Sequence, residues 1–338
     1  MNLPLGFTHL ENSCRTPTTD AISLSKSWAK RYIKTIKEAN TEAPIKSEAD
    51  LRRSVAKKLH QGLRTVSAQA WGKTEELLAK EVIRHQLNPD NIDPWAISGD
   101  VYHIYDQAFE SYSEAVTPER FAVNIASDLG DIRAKFTADD PRVIGFVSMQ
   151  FHYTGQLLLQ LATTLVNEEH QVILRQYFKA IDDHLYMPLQ RAYDAAGTYG
   201  HGAIELNIIQ NLLPQSSAIA QRVVQQVLNA FPDHQCYSGL LQSTTVKRSS
   251  LRDAEMFQAY IWVCLLEKNI SVVQQELFPL CVMLYPTFNV KWQIVRYMLT
   301  LLEREFVKLL PPDEFAQCSF YLDALKSIFS AEVVGAIA

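Results

Sequence analysis

Two histidines stand on predicted helices among residues that suit ligand binding. His152 lies in a largely apolar helix and shares its face with Ser148 and Gln156, because residues four apart are neighbours on a helix. His184 follows two aspartates and precedes Pro188, which kinks or ends a helix and frees backbone carbonyl groups. A buried histidine in a helical protein can bind haem iron, but a hydrogen-bonded core histidine is the more common outcome. We therefore treat His152 and His184 as candidate cofactor-binding residues, and the cofactor stays unassigned.

Basic side chains dominate the first two predicted helices. Four lysines in the segment 20–39 follow one another at spacings of four, four and three residues, so they share one face of a helix. Leu24, Trp28 and Tyr32 lie on the other side, which makes this helix amphipathic. The residues of this basic surface, which continues onto the next helix, are Lys26, Lys30, Lys34, Lys37, Arg52, Arg53, Lys57 and Lys58. Such a surface suits an acidic protein partner, an anionic membrane or nucleic acid, although a solvated helix face has the same pattern.

Three weaker patterns could also carry chemistry. Four polar residues share one arc of a helix and offer hard metal ligands: Asp100, His103, Asp106 and Glu110. A thiol close to a histidine, as with His234 and Cys236, can act as a nucleophile or carry a covalent cofactor. A helix-turn-helix over Ala68–Ile83, with Gly72 in the turn, would suit DNA. Ordinary surface helices and loops explain each pattern better, so we assign no metal ligand and no catalytic residue.

The sequence lacks the motifs of common nucleotide-binding and hydrolytic enzymes. None of Gly-x-x-x-x-Gly-Lys, Gly-x-Gly-x-x-Gly and Gly-x-Ser-x-Gly occurs in its 338 residues. The net charge of −5 argues against a chain that binds polyanions over its whole surface. Residues 1–90 nevertheless carry 15 Lys/Arg and 10 Asp/Glu, whereas residues 91–200 carry 7 and 15. The basic first quarter and the acidic middle can pair with each other or with a partner.

The cysteines and the apolar runs indicate the cellular compartment in which the protein is expected. Five scattered cysteines without paired spacing favour a reducing environment. The first 17 residues lack a basic start followed by an apolar stretch, so they do not resemble a secretory signal. No apolar run approaches the roughly 20 residues of a membrane-spanning helix. The sequence therefore predicts a cytoplasmic protein without a transmembrane segment.

Helical signals recur along almost the whole chain, and strand signals are nearly absent. Good helix formers are abundant and only 12 glycines occur. Asp93, Thr117 and Asp140 each precede a proline, which joins a capping residue to one suited to the first helical turn. The pattern predicts an all-α fold, with one helix starting near Lys73 and a long loop over 232–250.

The clearest break in the helical pattern is a glycine-rich segment over 197–202, which suits a hinge or a domain junction. We therefore predict a tail over 1–17, a helical bundle with basic N-terminal helices over 18–197, and a second helical bundle over 203–338. The two bundles are expected to pack as subdomains of one multi-helix protein.

Two segments, Asp140–Gln156 and Tyr177–Arg191, resemble uncharacterised all-helical proteins of cyanobacteria. The resemblance implies a cyanobacterial cytosol and a link to photosynthesis or its regulation, and it assigns no functional residue. Each half of the chain also has a size compatible with globin-like and phycobilisome-related helical domains. The cysteine context in which phycobiliproteins attach bilin is missing from this sequence.

These observations favour a non-enzymatic helical interaction or regulatory protein that binds a protein partner through the basic surface. A globin-like sensor with haem or another tetrapyrrole near His152 or His184 is the first alternative. A nucleic-acid-binding regulator that uses residues 20–64 is the second. Self-association through the aromatic-rich C-terminal half stays open as well.

Overall fold

The computed structural model describes residues 48–335 and, before them, residues 24, 26, 27 and 30. The helices of the first half are α1 (Glu48–Arg84), α2 (Pro94–Ser113), α3 (Pro118–Asn124), α4 (Ala126–Thr137), α5 (Ile144–Thr163), α6 (Glu168–Tyr186) and α7 (Leu189–Ala196). Those of the second half are α8 (Ile204–Leu212), α9 (Ser216–Ala230), α10 (Thr244–Glu267), α11 (Phe278–Thr287), α12 (Trp292–Leu309), α13 (Pro312–Ile328) and α14 (Ala331–Val334). Short 3₁₀ turns cover Pro89–Asn91, Pro141–Val143 and Leu213–Gln215, and one π-helical turn covers Val273–Leu277. The all-α prediction is confirmed.

The capping residues act as the sequence predicts. The Asp93 side chain accepts hydrogen bonds from two backbone amides at the start of α2, and Thr117 accepts one at the start of α3. Asp140 caps a 3₁₀ turn that leads directly into α5. Helix α6 ends at Tyr186, two residues before Pro188, because proline lacks the amide that the next turn would need.

One long helix replaces the predicted helix-turn-helix. Helix α1 runs without a break through Gly72 and Lys73, so the prediction of a turn at Gly72 and of a new helix near Lys73 is wrong. An interior glycine costs a helix only about 1 kcal/mol. The buried face of α1, which includes Leu59, Leu63 and Leu78, lies in the same core cluster as α2 and α5. That packing outweighs the local cost of the glycine.

The predicted loop over 232–250 contains a small hairpin and the first turns of α10. Strands β1 (Gln235–Cys236) and β2 (Gly239–Leu240) pair antiparallel. These four residues are the only strand residues in the part of the chain that the structure describes. Gly239 has φ +138°, a conformation that side-chain-bearing residues rarely adopt, and it allows this tight reversal.

Buried apolar side chains form two clusters. The first joins helices α1 to α6, and the second joins α7 to α14 together with Leu24. Three residues of α11 (Leu280, Met283 and Leu284) lie in the first cluster, so α11 packs across both halves. The division into two bundles at the 197–202 segment stays a prediction. Within residues 48–335, no helix is both long enough and apolar enough to cross a membrane.

Candidate functional site

A cavity of about 340 Å³ lies where the two halves of the chain meet. Its walls come from α1, α5, the end of α6, the hairpin, α10, α11 and α12. Apolar side chains such as Met149, Met256, Phe257 and Leu284 line much of it. A volume of this size and an apolar wall with a few polar groups are typical of a small-molecule site.

Helix α10 places two adjacent charged residues, Arg252 and Asp253, on the wall of this cavity. Ser243 caps the helix by accepting a hydrogen bond from the Val246 amide, which fixes the register of the first turns. The Arg252 guanidinium lies 3.6 Å from the centroid of the Tyr186 ring. Its Nε is buried and has no hydrogen-bond acceptor among the described residues. The guanidinium brings a positive charge to the cavity wall, and a bound anionic group could pair with this charge.

Asp253 is the acidic partner of this pair. Burial raises the pKa of the Asp253 carboxyl from 3.8 to about 6, against the opposing effects of Arg252 and of a hydrogen bond from Tyr285. Burial also raises the pKa of the Tyr285 hydroxyl, so this hydroxyl stays protonated and remains a donor. A carboxyl that exchanges its proton near pH 6 inside a cavity can accept hydrogen bonds from N–H groups of a ligand.

The raised pKa of Asp253 predicts a pH dependence of stability. Because the folded-state pKa exceeds the unfolded value, this group favours folding below pH 4, and the benefit is lost as the pH rises through 6. We compare the free energy of unfolding of Asp253→Asn with that of the wild type. The difference, variant minus wild type, should increase by about 1–2 kcal/mol when the pH is raised from 4.5 to 7.5. Urea unfolding of both proteins at the two pH values measures this change, and a pH-independent difference would contradict the raised pKa.

The mouth of the cavity is built from both halves of the chain. On the N-terminal side lie Lys73, His152 and Tyr153, and the Lys73 ammonium is 5.8 Å from the centroid of the Tyr153 ring. On the other side lies Tyr237 at the hairpin tip. Burial is the largest of the effects that raise the pKa of Tyr153 to about 12, and the nearby Tyr237, Tyr186 and Glu76 contribute less, in that order.

Cys236 of the hairpin also lines the cavity, and its side chain is buried. Burial raises the pKa of the Cys236 thiol, with a smaller contribution from Asp253, so the thiol is protonated at neutral pH. His234 does not activate it, because the Nε2 of His234 lies 2.8 Å from the carbonyl oxygen of Asn289. The hypothesis of a Cys236 nucleophile therefore gains no geometric support.

The two candidate histidines lie in different places. His152 is at the mouth of the cavity, where its Nδ1 is 3.0 Å from an Asp182 carboxylate oxygen and its Nε2 is 2.7 Å from Nε2 of Gln156. His184 is buried, with its Nδ1 2.8 Å from the Ala180 carbonyl oxygen. It borders a second cavity and not the first. The structure does not bring them together, and both ring nitrogens of His152 already have partners.

The second cavity, of about 830 Å³, is wider and more polar. Its charged side chains are largely paired with one another. Arg133 contacts Glu276 at 2.8 Å, and Arg191 contacts Glu276 at 2.7 Å and Glu267 at 2.5 Å. Because these groups satisfy one another, this cavity offers a ligand fewer open polar groups than the first.

Three residues of the polar arc on α2 form ion pairs with residues outside the arc. Its residues contact separate partners: Asp100 pairs with Lys135, His103 with Asp128 and Asp106 with His60. No group of three or more metal-ligating side chains occurs among the described residues. Helix α2 carries its acidic side chains on its exposed face, as is expected of an ordinary surface helix.

The basic surface is described only in part. Lys26 and Lys30 are exposed, whereas Lys34 and Lys37 lie outside the described residues. Arg52 pairs with Glu48 at 2.5 Å and Arg53 with Asp50 at 2.7 Å, so both are engaged within α1. Lys57 and Lys58 are exposed on the same helix.

Sequence reasoning missed the Arg252–Asp253 pair. The available signal was two opposite charges a few residues before the apolar run 259–266. An isolated charge pair on a helix is usually a solvated surface feature. Only the tertiary structure shows that the Arg252–Asp253 pair faces a cavity, where Tyr186 and Tyr285 pack against the pair.

The C-terminal half of the cavity coincides with a family match. Residues 176–328 match the phycobilisome protein family, whose description reads "Phycobilisome protein". This part of the chain is similar to phycobilisome proteins. The match covers just under half of the 338 residues and points to an all-helical family of cyanobacteria. No curated protein and no solved structure matches the chain.

The phycobilisome-like region contains Cys236, Arg252, Asp253 and Tyr285, which line the inner part of the cavity. Lys73, which lines its mouth, lies outside the region. Of the two segments that resemble cyanobacterial helical proteins, 177–191 falls inside the matched region and 140–156 falls outside it.

Proposed function

We propose that the chain is a non-enzymatic, cytoplasmic binding protein that holds an open-chain tetrapyrrole in the cavity between its two halves. The observation that carries this proposal is the Arg252–Asp253 pair on an otherwise largely apolar wall. The similarity of residues 176–328 to phycobilisome proteins supports the choice of ligand class. A bound tetrapyrrole would supply absorption of visible light, which suits a sensor or a carrier.

The fit of this ligand class rests on complementary polar groups. Arg252 supplies a cation on the cavity wall, and a guanidinium binds a carboxylate side chain well. Asp253 can accept hydrogen bonds from the ring N–H groups of the ligand, and a hydrogen bond from the Tyr285 hydroxyl orients the Asp253 carboxyl. The apolar wall, for example Met256 and Phe257, would bury the flat rings.

An open-chain ligand fits these residues better than haem. Haem needs an axial ligand, and among the described residues His152 is the only histidine that lines this cavity. Both ring nitrogens of His152 already contact Asp182 and Gln156. Arg252 and Asp253, in contrast, offer an anion-binding group and an acceptor, and neither requires a metal.

The test is a titration of the purified chain with the linear tetrapyrrole biliverdin, followed by absorbance and by quenching of tryptophan fluorescence. We expect the wild type to bind and Arg252→Gln to raise the Kd about 10- to 100-fold, as for loss of a hydrogen bond to a charged group. Arg248→Gln is the matched control, because Arg248 is exposed one turn earlier on α10 and lies outside the cavity lining.

Thermal unfolding of each variant shows whether a loss of binding reflects a loss of folding. No binding by the wild type, or equal Kd values for Arg252→Gln and Arg248→Gln, would remove the proposal. Haemin binding that is lost in His152→Ala but kept in Arg252→Gln would favour the haem alternative.

A protein partner on the basic surface is the second candidate function. The observation that favours it is a row of exposed basic residues on α1 (Lys57, Lys58 and Arg64) that form no ion pair with any other described residue. Unpaired cations on a regular helix suit an acidic protein surface. This role is compatible with ligand binding, because the row lies apart from the cavity lining.

A further inference from the structure

The hairpin that borders the cavity has little support of its own. Each of its strands has only two residues, and a two-stranded hairpin of this size is marginal in water unless it packs on other structure. Tyr237 at its tip is 59% exposed and Leu240 is 50% exposed. The hairpin therefore depends on contacts with its neighbours to stay in place.

A single turn between α11 and α12 supplies several of those contacts. The Tyr237 amide donates to the Phe288 carbonyl oxygen at 2.9 Å, and the two aromatic rings meet edge to face at 6.4 Å. The Asn289 side-chain amide donates to the Gln235 carbonyl oxygen at 2.5 Å. His234 Nε2 donates to the Asn289 carbonyl oxygen at 2.8 Å.

Asn289 has a backbone conformation suited to this task. Its φ of +55° lies in the left-handed region, where asparagine is tolerated better than most residues. This conformation lets one residue offer its side-chain amide and its carbonyl oxygen to the hairpin. We refer to the contacts made by Asn289 and His234 as the clamp.

The clamped hairpin covers the cavity from the C-terminal side. Cys236, Tyr237, Ser238 and Leu241 all line it. Tyr153 of α5 lines the same cavity as Tyr237, so the hairpin tip faces the N-terminal side of the mouth. Movement of the hairpin tip would therefore open the cavity on this side.

We propose that the hairpin is a lid on the cavity and that Asn289 and His234 are the positioning residues that hold it closed. The lid has a lower free energy of opening than the surrounding helices, because only two core side chains, Cys236 and Leu241, join its few hydrogen bonds and one ring contact in holding it. The claim that ligand enters and leaves through the lid rests on the function proposed above. The claim that the hairpin opens as a local unit does not rest on that function.

Hydrogen exchange of the ligand-free chain tests the opening unit. In Asn289→Gly, which keeps the left-handed backbone but removes the side-chain amide, we expect the Tyr237 amide to exchange about 5- to 10-fold faster. His234→Ala should act in the same direction, whereas amides within α9 and α12 should be unchanged. Ala115→Gly is the matched control, since Ala115 has φ +56° in the first half, away from the cavity.

Unchanged exchange at Tyr237 in both clamp variants would overturn the lid. Equal acceleration in α9 and α12 would overturn it too, because the hairpin would then open only when the whole fold opens.

Stopped-flow mixing with biliverdin tests the route. A lid predicts that Asn289→Gly raises the association and dissociation rates by similar factors and leaves Kd within about 2-fold. A higher dissociation rate with an unchanged association rate would overturn the lid as a route for ligand, since the hairpin would then be a fixed part of the binding wall. If the wild type binds no biliverdin, the proposed function fails, and the exchange data still decide whether the hairpin opens.

Discussion

Replacing Arg133 by methionine is expected to lower the free energy of unfolding by about 3–5 kcal/mol, the typical cost of breaking a buried ion pair by removing one partner. Arg133 lies on α4 and is only 7% exposed. Its guanidinium donates to the Leu185 carbonyl oxygen, to the Tyr260 hydroxyl at 2.7 Å and to a Glu276 carboxylate oxygen at 2.8 Å.

The effect should be large because Arg133 connects four elements. It ties α4 to the end of α6, to α10 and to the π-helical turn Val273–Leu277 that carries Glu276. Methionine fills a similar volume but leaves these largely buried acceptors without the arginine donor. Arg191 still contacts Glu276 and limits the loss.

Urea unfolding followed by circular dichroism measures the change. The matched control is Arg175→Met, which removes an arginine that pairs with Glu168 at 2.6 Å on the protein surface. Exposed pairs contribute about 0–1 kcal/mol, so this control should stay close to the wild type. Equal losses for the two variants would show that the Arg133 contacts contribute nothing beyond a surface pair.

The second large effect is expected from Gly155→Val on α5, with a loss of stability of about 3 kcal/mol, near the upper end for overpacking a core. A Cβ at position 155 would lie 2.7 Å from the hydroxyl oxygen of Tyr105 and 3.7 Å from Phe178. Tyr105 is fully buried, and its hydroxyl donates to the Phe151 carbonyl oxygen at 2.8 Å. The glycine therefore makes room for a buried hydrogen bond.

Two companion variants make this result specific. Gly72→Val is the matched control, because Gly72 also lies inside a helix, but its added Cβ would meet nothing within 4 Å. We expect it to change stability by less than about 0.5 kcal/mol. Tyr105→Phe should recover part of the Gly155→Val loss in the double variant, because it removes the clashing oxygen. Additive losses in the double variant would contradict the close contact as the cause.

Local signals in the sequence determined the fold class and many helix boundaries. The caps at Asp93, Thr117 and Asp140 and the break before Pro188 each depend on hydrogen bonds within a few residues. Such short-range rules can be read without a structure. The same reading failed at Gly72, because the cost of one glycine is small compared with the burial of apolar side chains along α1.

The candidate site could not be predicted in the same way, because its residues come from distant parts of the chain. Tyr186, Arg252 and Tyr285 meet only after α6, α10 and α11 pack together. Two histidines that looked equivalent in the sequence, His152 and His184, lie at different cavities.

The sequence by itself therefore determined an all-helical chain with its caps and breaks, since these follow from contacts within one or two helical turns. Tertiary structure alone decided which charges are buried. Arg252 and Asp253 face a cavity, whereas Asp100 and Asp106 on α2 reach exposed partners. The physical reason is desolvation: a charge acquires a shifted pKa or an open donor only when packing removes water from around it.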